Sequence, residues 1–332
     1  MVALYLVSAE EAAGKTTIGV GLGKRWLEEG KKIGYIKLVT AGKGSADGKN
    51  DTVFMKQVLA LAEPVDVLCP PVSKVKEVVD RLSRDKDVVI VEGRCGRSPE
   101  ESLDQADYTM MEVLKARVMV VADFASQSPA EIINCGKRFG ANLLGVVLNK
   151  VPASRLKYVA AESSPQFEAA GIVVLGVLPE SRALFTVAVG ELADSVQGEI
   201  LNNAEKSAEL VENLMAGAML VDSGLEYFGR KTNKAAVVRG DRPDMQMAAL
   251  ETSTRCLVIS GGTAPVDSVR YTAESKGVPI IVTGNDTDTI VKNIEEALGR
   301  ARFNQEKKLL RLAELVESHL DFPAICKGLG LG

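Results

Sequence analysis

The residues of this chain with the clearest capacity for chemistry are Gly14-Lys15-Thr16-Thr17, which follow the apolar run Leu4-Tyr5-Leu6-Val7 and lead into a helical pattern. A strand that ends in a tight loop and feeds a helix points backbone N–H groups, and the positive end of the helix dipole, at one small volume suited to phosphate. Glu11, Ala12, Ala13 and Gly14 are then the expected cradle for a nucleotide, with Lys15, Thr16 and Thr17 closing it. Lys15 can reach the β- and γ-phosphates, and the Thr16 hydroxyl can complete the coordination of Mg²⁺. Ala9 stands where the G-x-x-x-x-G-K-[ST] pattern has its first glycine. An alanine forced to positive φ costs about 1–2 kcal/mol, against about 8 kcal/mol for micromolar nucleotide binding. The departure weakens the match without abolishing it.

Further groups lie just beyond other strand patterns, where open α/β sheets bind their ligands. Lys37, Thr40 and Gly42 close the second strand pattern, Asp51 lies in the polar, glycine-rich stretch after it, and Glu92-Gly93 ends Val88-Val89-Ile90-Val91. Mg²⁺ with a triphosphate needs hard oxygen ligands and balancing positive charge, which Thr16, Asp51 and Glu92 with Lys15 and Lys37 supply. Each has a plainer reading. Asp51 and Glu92 could be caps or salt-bridge partners, Lys37 a solvated charge, and Asn149 either an adenine contact or the tie of a turn. Cys95 and Arg97 lie near the same edge, and spacing assigns them no role.

Composition narrows the classes. Hydrophobic residues make up 46% and charged residues 25% of 332, as in a soluble globular protein. A net charge of -4, no basic stripe and a single Trp argue against nucleic acid as a partner. The chain starts directly in a strand pattern and has no apolar run of membrane-spanning length, which points to a cytoplasmic protein with no membrane partner. Five cysteines without a C-x-x-C pair indicate neither a disulfide framework nor zinc. His319, the one histidine, falls on the polar side of a terminal helix pattern, away from any nucleophile, so histidine-based acid/base catalysis is not expected.

The elements that must position these groups alternate. Strand patterns at Val2 to Val7, Lys32 to Val39, Asp87 to Glu92, Arg117 to Asp123, Leu143 to Asn149 and Ile172 to Val177 are separated by helical stretches. Runs such as Val118-Met119-Val120-Val121 lack period-2 alternation, so both faces of these strands should be covered, as in a doubly wound parallel α/β sheet. Ala183 to Asn203 reads as a connecting helical stretch. A second, smaller α/β rhythm follows, with strand patterns at Ala235 to Val238, Cys256 to Ile259 and Pro279 to Val282. Arg302 to His319 reads as a closing amphipathic helix and Lys327 to Gly332 as a frayed tail. The expected division is a P-loop domain with its connecting helix over 1–202, a second α/β domain over 203–300 and a C-terminal helix and tail over 301–332.

In the second region Gly240-Asp241, Ser260-Gly261-Gly262 and Thr283-Gly284-Asn285-Asp286 each end a strand pattern and open a helix. Adjacent turns of this kind would form an edge of free N–H groups for a small phosphate or carboxylate metabolite. Gly240, Asp241, Arg242, Asp244, Gln246, Gly261 and Gly262 are the expected lining. The alternative is that Asp241, Thr263 and Asn285 only cap helices and the glycines only turn.

The blocks Ala9 to Thr16, Tyr35-Ile36-Lys37-Leu38-Val39-Thr40, Asp51, Val91-Glu92-Gly93-Arg94-Cys95-Gly96, Gly145-Val146-Val147-Leu148-Asn149 and Leu175-Gly176-Val177-Leu178-Pro179 resemble the successive blocks of dethiobiotin synthetase. The cobyrinic acid a,c-diamide synthase ATPases share much of this pattern. The resemblance implies ATP and Mg²⁺ at Lys15 and Thr16, metal ligation at Asp51 and Glu92, Lys37 on the substrate side, phosphoryl transfer to a carbamate or carboxylate, and a homodimer. Leu38 stands where the synthetase usually has proline, so substrate identity does not carry over. A lone remote histidine excludes the glutaminase step of the diamide synthases. Val237-Val238-Arg239-Gly240-Asp241-Arg242-Pro243-Asp244 followed by Leu257-Val258-Ile259-Ser260-Gly261-Gly262 resembles the DRTGG domain. Together the two parts resemble the N-terminal regulatory region of long phosphotransacetylases, with no acetyl-transferring domain in the chain. The expected function is a Mg-ATP-binding regulatory protein serving a phosphotransacetylase or another enzyme of acetate metabolism. An ATP-dependent ligase or kinase using Lys15 and Lys37, and a non-catalytic scaffold, are the alternatives.

Overall fold

The structure, a computed structural model, describes residues 1–332 apart from 11, 39–43, 83, 96–110, 218–223, 300–302, 304 and 332, and apart from the side chains of 44–47, 72, 94, 95, 182 and 299. The described chain forms two compact units, Met1–Ser181 with Phe303–Gly332, and Arg182–Arg302.

In the first unit β1 (Val2–Ser8), β2 (Ile33–Lys37), β3 (Val88–Cys95), β4 (Arg117–Asp123), β5 (Leu143–Val151) and β6 (Val174–Pro179) make a parallel sheet of order β2-β3-β1-β4-β5-β6. This is the expected doubly wound α/β arrangement, and the order reverses direction at β1, which places a ligand crevice beyond its carboxyl end. Val88, Val89, Ile90 and Val91 are all fully buried, as strands covered on both faces must be. Helix α1 (Lys15–Glu28) crosses one face through its glycines: a Cβ on Gly19 would touch Leu6, Met55 and Ile90.

Helix α2 (Gly44–Val58) replaces the glycine-rich loop expected around Asp51. Gly44-Ser45-Ala46-Asp47-Gly48 is a poor helix former, and tertiary packing decides the matter. Phe54 and Met55 are buried, and Lys56 Nζ satisfies the carbonyls of Leu61, Ala62 and Glu63 just past the end of the helix.

The C-terminal segment belongs to the first unit. Helix Leu309–His319 seats Val316 against Gly21 of α1, where a Cβ would come within 2.4 Å of it, and Leu320 bridges Gly176 on the outer edge of β6. A second helix, Phe322–Leu329, takes in Lys327, Gly328 and Leu329 of the stretch expected as a frayed tail. Asp321 caps it by accepting the Ala324 N–H at 2.9 Å, and Gly330 in the left-handed region closes it. Trp26 of α1 donates its indole N–H to Cys326 Sγ at 3.4 Å.

The second unit begins earlier than residue 203. Its strands are β7 (Val187–Ala188), β8 (Glu199–Ile200), β9 (Leu210–Val211), β10 (Asn213–Gly217), β11 (Lys234–Arg239), β12 (Thr254–Ser260) and β13 (Ile280–Val282). The main sheet runs β10-β11-β12-β13-β8, parallel except for β8. The stretch expected as a connecting helix therefore supplies two short strands and one short helix, Val189–Ser195. Its apolar spacing serves a local core in which Val189, Leu192 and Ala193 pack against Val237 and Val258. Lys234, which opens β11, is fully buried. Its ammonium donates to Thr252 Oγ1 at 2.8 Å and to the Ser253 carbonyl at 2.9 Å, and lies 5.9 Å from the centre of the Phe228 ring. Burial pushes its pKa down to about 8.

Candidate functional site

The loop from β1 to α1 departs from expectation at one backbone position. Ala12 (φ 58°) and Gly14 (φ 100°) carry the left-handed conformations, and Ala9 does not, so the missing glycine costs nothing there. Gly14 is required: a Cβ on it would lie 2.2 Å from Asn149 Nδ2. Asn149, at the end of β5, reaches the loop itself and donates from Nδ2 to the Ala13 carbonyl at 2.8 Å. Lys15 is buried and donates to Ser8 Oγ at 2.5 Å, and Thr17 follows in the first turn of α1. Glu11, Thr40, Gly42, Gly96 and Arg97 lie outside the described residues.

Four of the expected residues converge beside this loop. Strand register sets Lys37 of β2 opposite Glu92 of β3, with Leu6 of β1 on the other side. Lys37 Nζ donates to Glu92 Oε1 at 2.6 Å, to Asp51 Oδ2 of α2 at 2.8 Å and to Thr16 Oγ1 at 3.3 Å. The Thr16 hydroxyl in turn lies 2.9 and 3.0 Å from the two Glu92 oxygens. Glu92 is 3% exposed and Asp51 8%, so Lys37 is no solvated charge. Burial works against ionised Glu92, but the positive charges of Lys37 and Lys15 outweigh it and hold its carboxyl below the usual range. Burial likewise opposes the Lys37 ammonium, and the Glu92 and Asp51 charges overcome it and lift its pKa.

Two supports carried no assigned role in the sequence. The buried Tyr35 donates its hydroxyl to Glu92 Oε2 at 2.7 Å from beneath. The signal for it was its spacing, because residues two apart in a strand share a face, and Lys37 also faces Glu92. Glu10 ties the phosphate loop to the end of β4, accepting the Asp123 N–H at 3.1 Å and the Ser126 hydroxyl at 2.5 Å.

The residues present fit a Mg-nucleotide. The possible metal donors, Thr16, Asp51 and Glu92, are all oxygen, which suits Mg²⁺ held through one or two carboxylates plus phosphates. Among the described residues no group of three or more His, Cys, Asp or Glu could cage a metal by itself. The cradle at Gly14 admits no side chain. His319 is remote from this chemistry: it lines a groove of about 900 Å³ beside β6, three strands from β1.

Three of the N–H groups expected to be free at the glycine turns of the second sheet are already taken. The Gly240 N–H goes to the Ser260 carbonyl at 3.1 Å, Gly261 to Asn285 at 3.1 Å and Gly262 to Thr283 at 2.8 Å, so the turns are spent on one another. Asp241 and Asn285 are not caps either. Asp241 pairs with Arg239, Asn285 donates to the Val196 carbonyl at 2.9 Å, and Asp286 accepts the Thr289 N–H at 2.8 Å. Arg242 forks onto Asp244 through Nε and Nη2 at 2.8–3.1 Å. Gln246 is fully buried and donates to the Arg239 carbonyl at 2.8 Å, while its Oε1 has no hydrogen-bond partner among the described residues.

Comparison with known proteins places these two regions. The AAA domain family matches residues 2–186, and the DRTGG domain family matches residues 191–297. The phosphate acetyltransferase of Haemophilus influenzae is 23% identical over 357 residues, covering 91% of this chain and 48% of that protein. That of Pseudomonas aeruginosa is 20% identical over 349 residues, covering 93% and 49%. The chain thus spans about half the length of the curated relatives it matches. The MinC:MinD cell division protein complex of Aquifex aeolicus is 16% identical over 55% of this chain and 83% of that one, with a TM-score of 0.40. No helix among the described residues is long and apolar enough to cross a membrane. With more than half of its length matched over residues 2–186 and a second domain matched after it, the chain belongs to the AAA domain family of P-loop proteins and carries a DRTGG domain, the make-up of the N-terminal region of phosphotransacetylases.

Proposed function

We propose that this chain is a cytoplasmic, homodimeric Mg-ATP-binding regulatory protein that acts on acyl-phosphate or acetyl-CoA metabolism through a partner enzyme. The observation that carries the reading is the buried convergence of Thr16, Lys37, Asp51 and Glu92 at the mouth of the loop that holds Lys15. Lys15 and the N–H groups at the start of α1 would bind the phosphates, while Thr16, Asp51 and Glu92 would hold Mg²⁺, which supplies neutralisation of the β- and γ-phosphate charge. Asn149 keeps the loop in register through Ala13. The relatives named phosphate acetyltransferase support the metabolic setting. In the DRTGG domain Arg239 and Arg242, with Gly240, Asp241, Asp244, Gln246, Gly261 and Gly262, would answer a small anionic metabolite by exchanging their aspartate partners for it.

Thermal melting with ATP or ADP and Mg²⁺ tests the reading. Ligand at a hundred times its Kd stabilises by about 2.7 kcal/mol, and Lys15→Ala should abolish the rise. No rise in the wild type would overturn it. Release of ADP above background with small carboxylates or diamines would turn the reading to the dethiobiotin synthetase-like ligase.

A further inference from the structure

We infer that the Lys37 ammonium is a built-in counter-ion seated among the oxygens that a divalent cation would use, so that Mg²⁺ and Lys37 exchange at one place and the metal binds only together with nucleotide. The inference rests on the reading of the loop as a Mg-nucleotide site. Nζ lies 2.6 Å from Glu92 Oε1, 2.8 Å from Asp51 Oδ2 and 3.3 Å from Thr16 Oγ1, so it touches an oxygen of every residue proposed for the metal.

Mg²⁺ bonds such oxygens at about 2.0–2.1 Å, so an ion on Glu92 Oε1 would stand no more than about 4.7 Å from Nζ where it now lies. The carboxylates of Glu92 and Asp51 are nearly excluded from water, and like charges at that separation are poorly screened there. Nζ also holds one oxygen of each carboxylate, so the two cations compete for the same oxygens. Repulsion together with this competition drives Lys37 out, and its flexible four-carbon stem lets it leave. Its charge needs a new anion. The phosphates of a nucleotide held by the adjoining loop supply one, whereas bare Mg²⁺ brings none.

Titration with Mn²⁺ followed by electron paramagnetic resonance reads this directly in the full chain without nucleotide. Wild type should take up no Mn²⁺ over a concentration range at least tenfold beyond the one that saturates Lys37→Met, and the variant should melt lower in EDTA and recover in Mg²⁺ while the wild type melts alike in both. Equal Mn²⁺ affinity in the two proteins overturns the exchange. Should Lys37→Met fail to fold, the wild type decides alone. A nucleotide-free Mn²⁺ site that Glu92→Gln removes would overturn the proposal, and Mn²⁺ uptake that appears only with added ADP supports it. A wild type that answers ATP but fails these tests leaves nucleotide binding standing; one that answers no nucleotide removes the underlying reading as well.

Discussion

At the carboxyl end of the first sheet Lys37, Asp51 and Glu92 come from β2, α2 and β3 and are almost wholly buried, whereas at the matching edge of the second sheet Arg239 pairs with Asp241 and Arg242 with Asp244, each only two residues away. The energetics differ accordingly. Ionised groups taken from water cost several kcal/mol each, and a buried pair seldom repays this better than apolar side chains would. Exposed pairs cost little and contribute about 0–1 kcal/mol. A buried charge web drawn from three elements is therefore an expensive way to stabilise a fold and a good way to poise a site. The arginine–aspartate pairs leave the arginines available at small cost.

The sharpest way to break the comparison is to remove one member of each set. Glu92→Ala strips Lys37 and Tyr35 of a shared partner, and urea unfolding should show a loss of about 3–5 kcal/mol; Glu92→Gln, which keeps the Tyr35 acceptor, should lose less. A loss under 1 kcal/mol would put the web in the same class as the exposed pairs. Next in size, Gly14→Ala forces a Cβ towards Asn149 and a residue to φ 100°. The backbone alone should cost about 1–2 kcal/mol, and adding Asn149→Ala should recover the steric part but not the backbone part.

Alkaline pH separates the units by sign. The Lys234 pKa of about 8 lies below its ordinary 10.5, so between those values the unfolded chain holds a proton that the folded chain has lost, and stability rises with pH. Lys37 runs the other way. Its raised pKa makes its contribution full below the ordinary lysine value and lost only above the folded one. Urea midpoints by circular dichroism at pH 8 and pH 10 should rise in the wild type and stay flat in Lys234→Met. Fluorescence of Trp26, the one tryptophan and a residue of the first unit, should show no loss over the same range. The smallest effect is expected for Asp241→Asn, under about 1 kcal/mol by urea unfolding.

Much of the first sheet was legible because a buried parallel strand writes itself as an unbroken apolar run, and the groups after each run are where chemistry collects. Asp51 was legible as a ligand type while its helix was not, since Gly44 to Gly48 has little helical preference and the packing of Phe54 and Met55 lies outside any local window. The glycine turns after β11 and β12 were visible, but the partners of their N–H groups sit at a strand end and a turn far away in sequence. The terminal helix was missed although its marks were present: Asp321 as cap, Pro323 in the first turn and Gly330 at the end.

The chain leaves the first unit after Ser181 and rejoins it at Phe303, so the DRTGG-bearing unit is an insertion with both ends anchored. An expression boundary drawn after Ser181 would not release a minimal nucleotide domain. It would cut away Val316, Phe322 and Cys326 and bare the face of α1 that carries Gly21 and Trp26. In polymer terms the insertion is a large loop, and the entropy of closing such a loop grows only slowly with its length. The inserted unit can therefore be exchanged or lengthened at little cost to the frame that closes it, whereas a cut in the returning segment Phe303–Gly332 reaches α1, the helix that opens at Gly14-Lys15-Thr16.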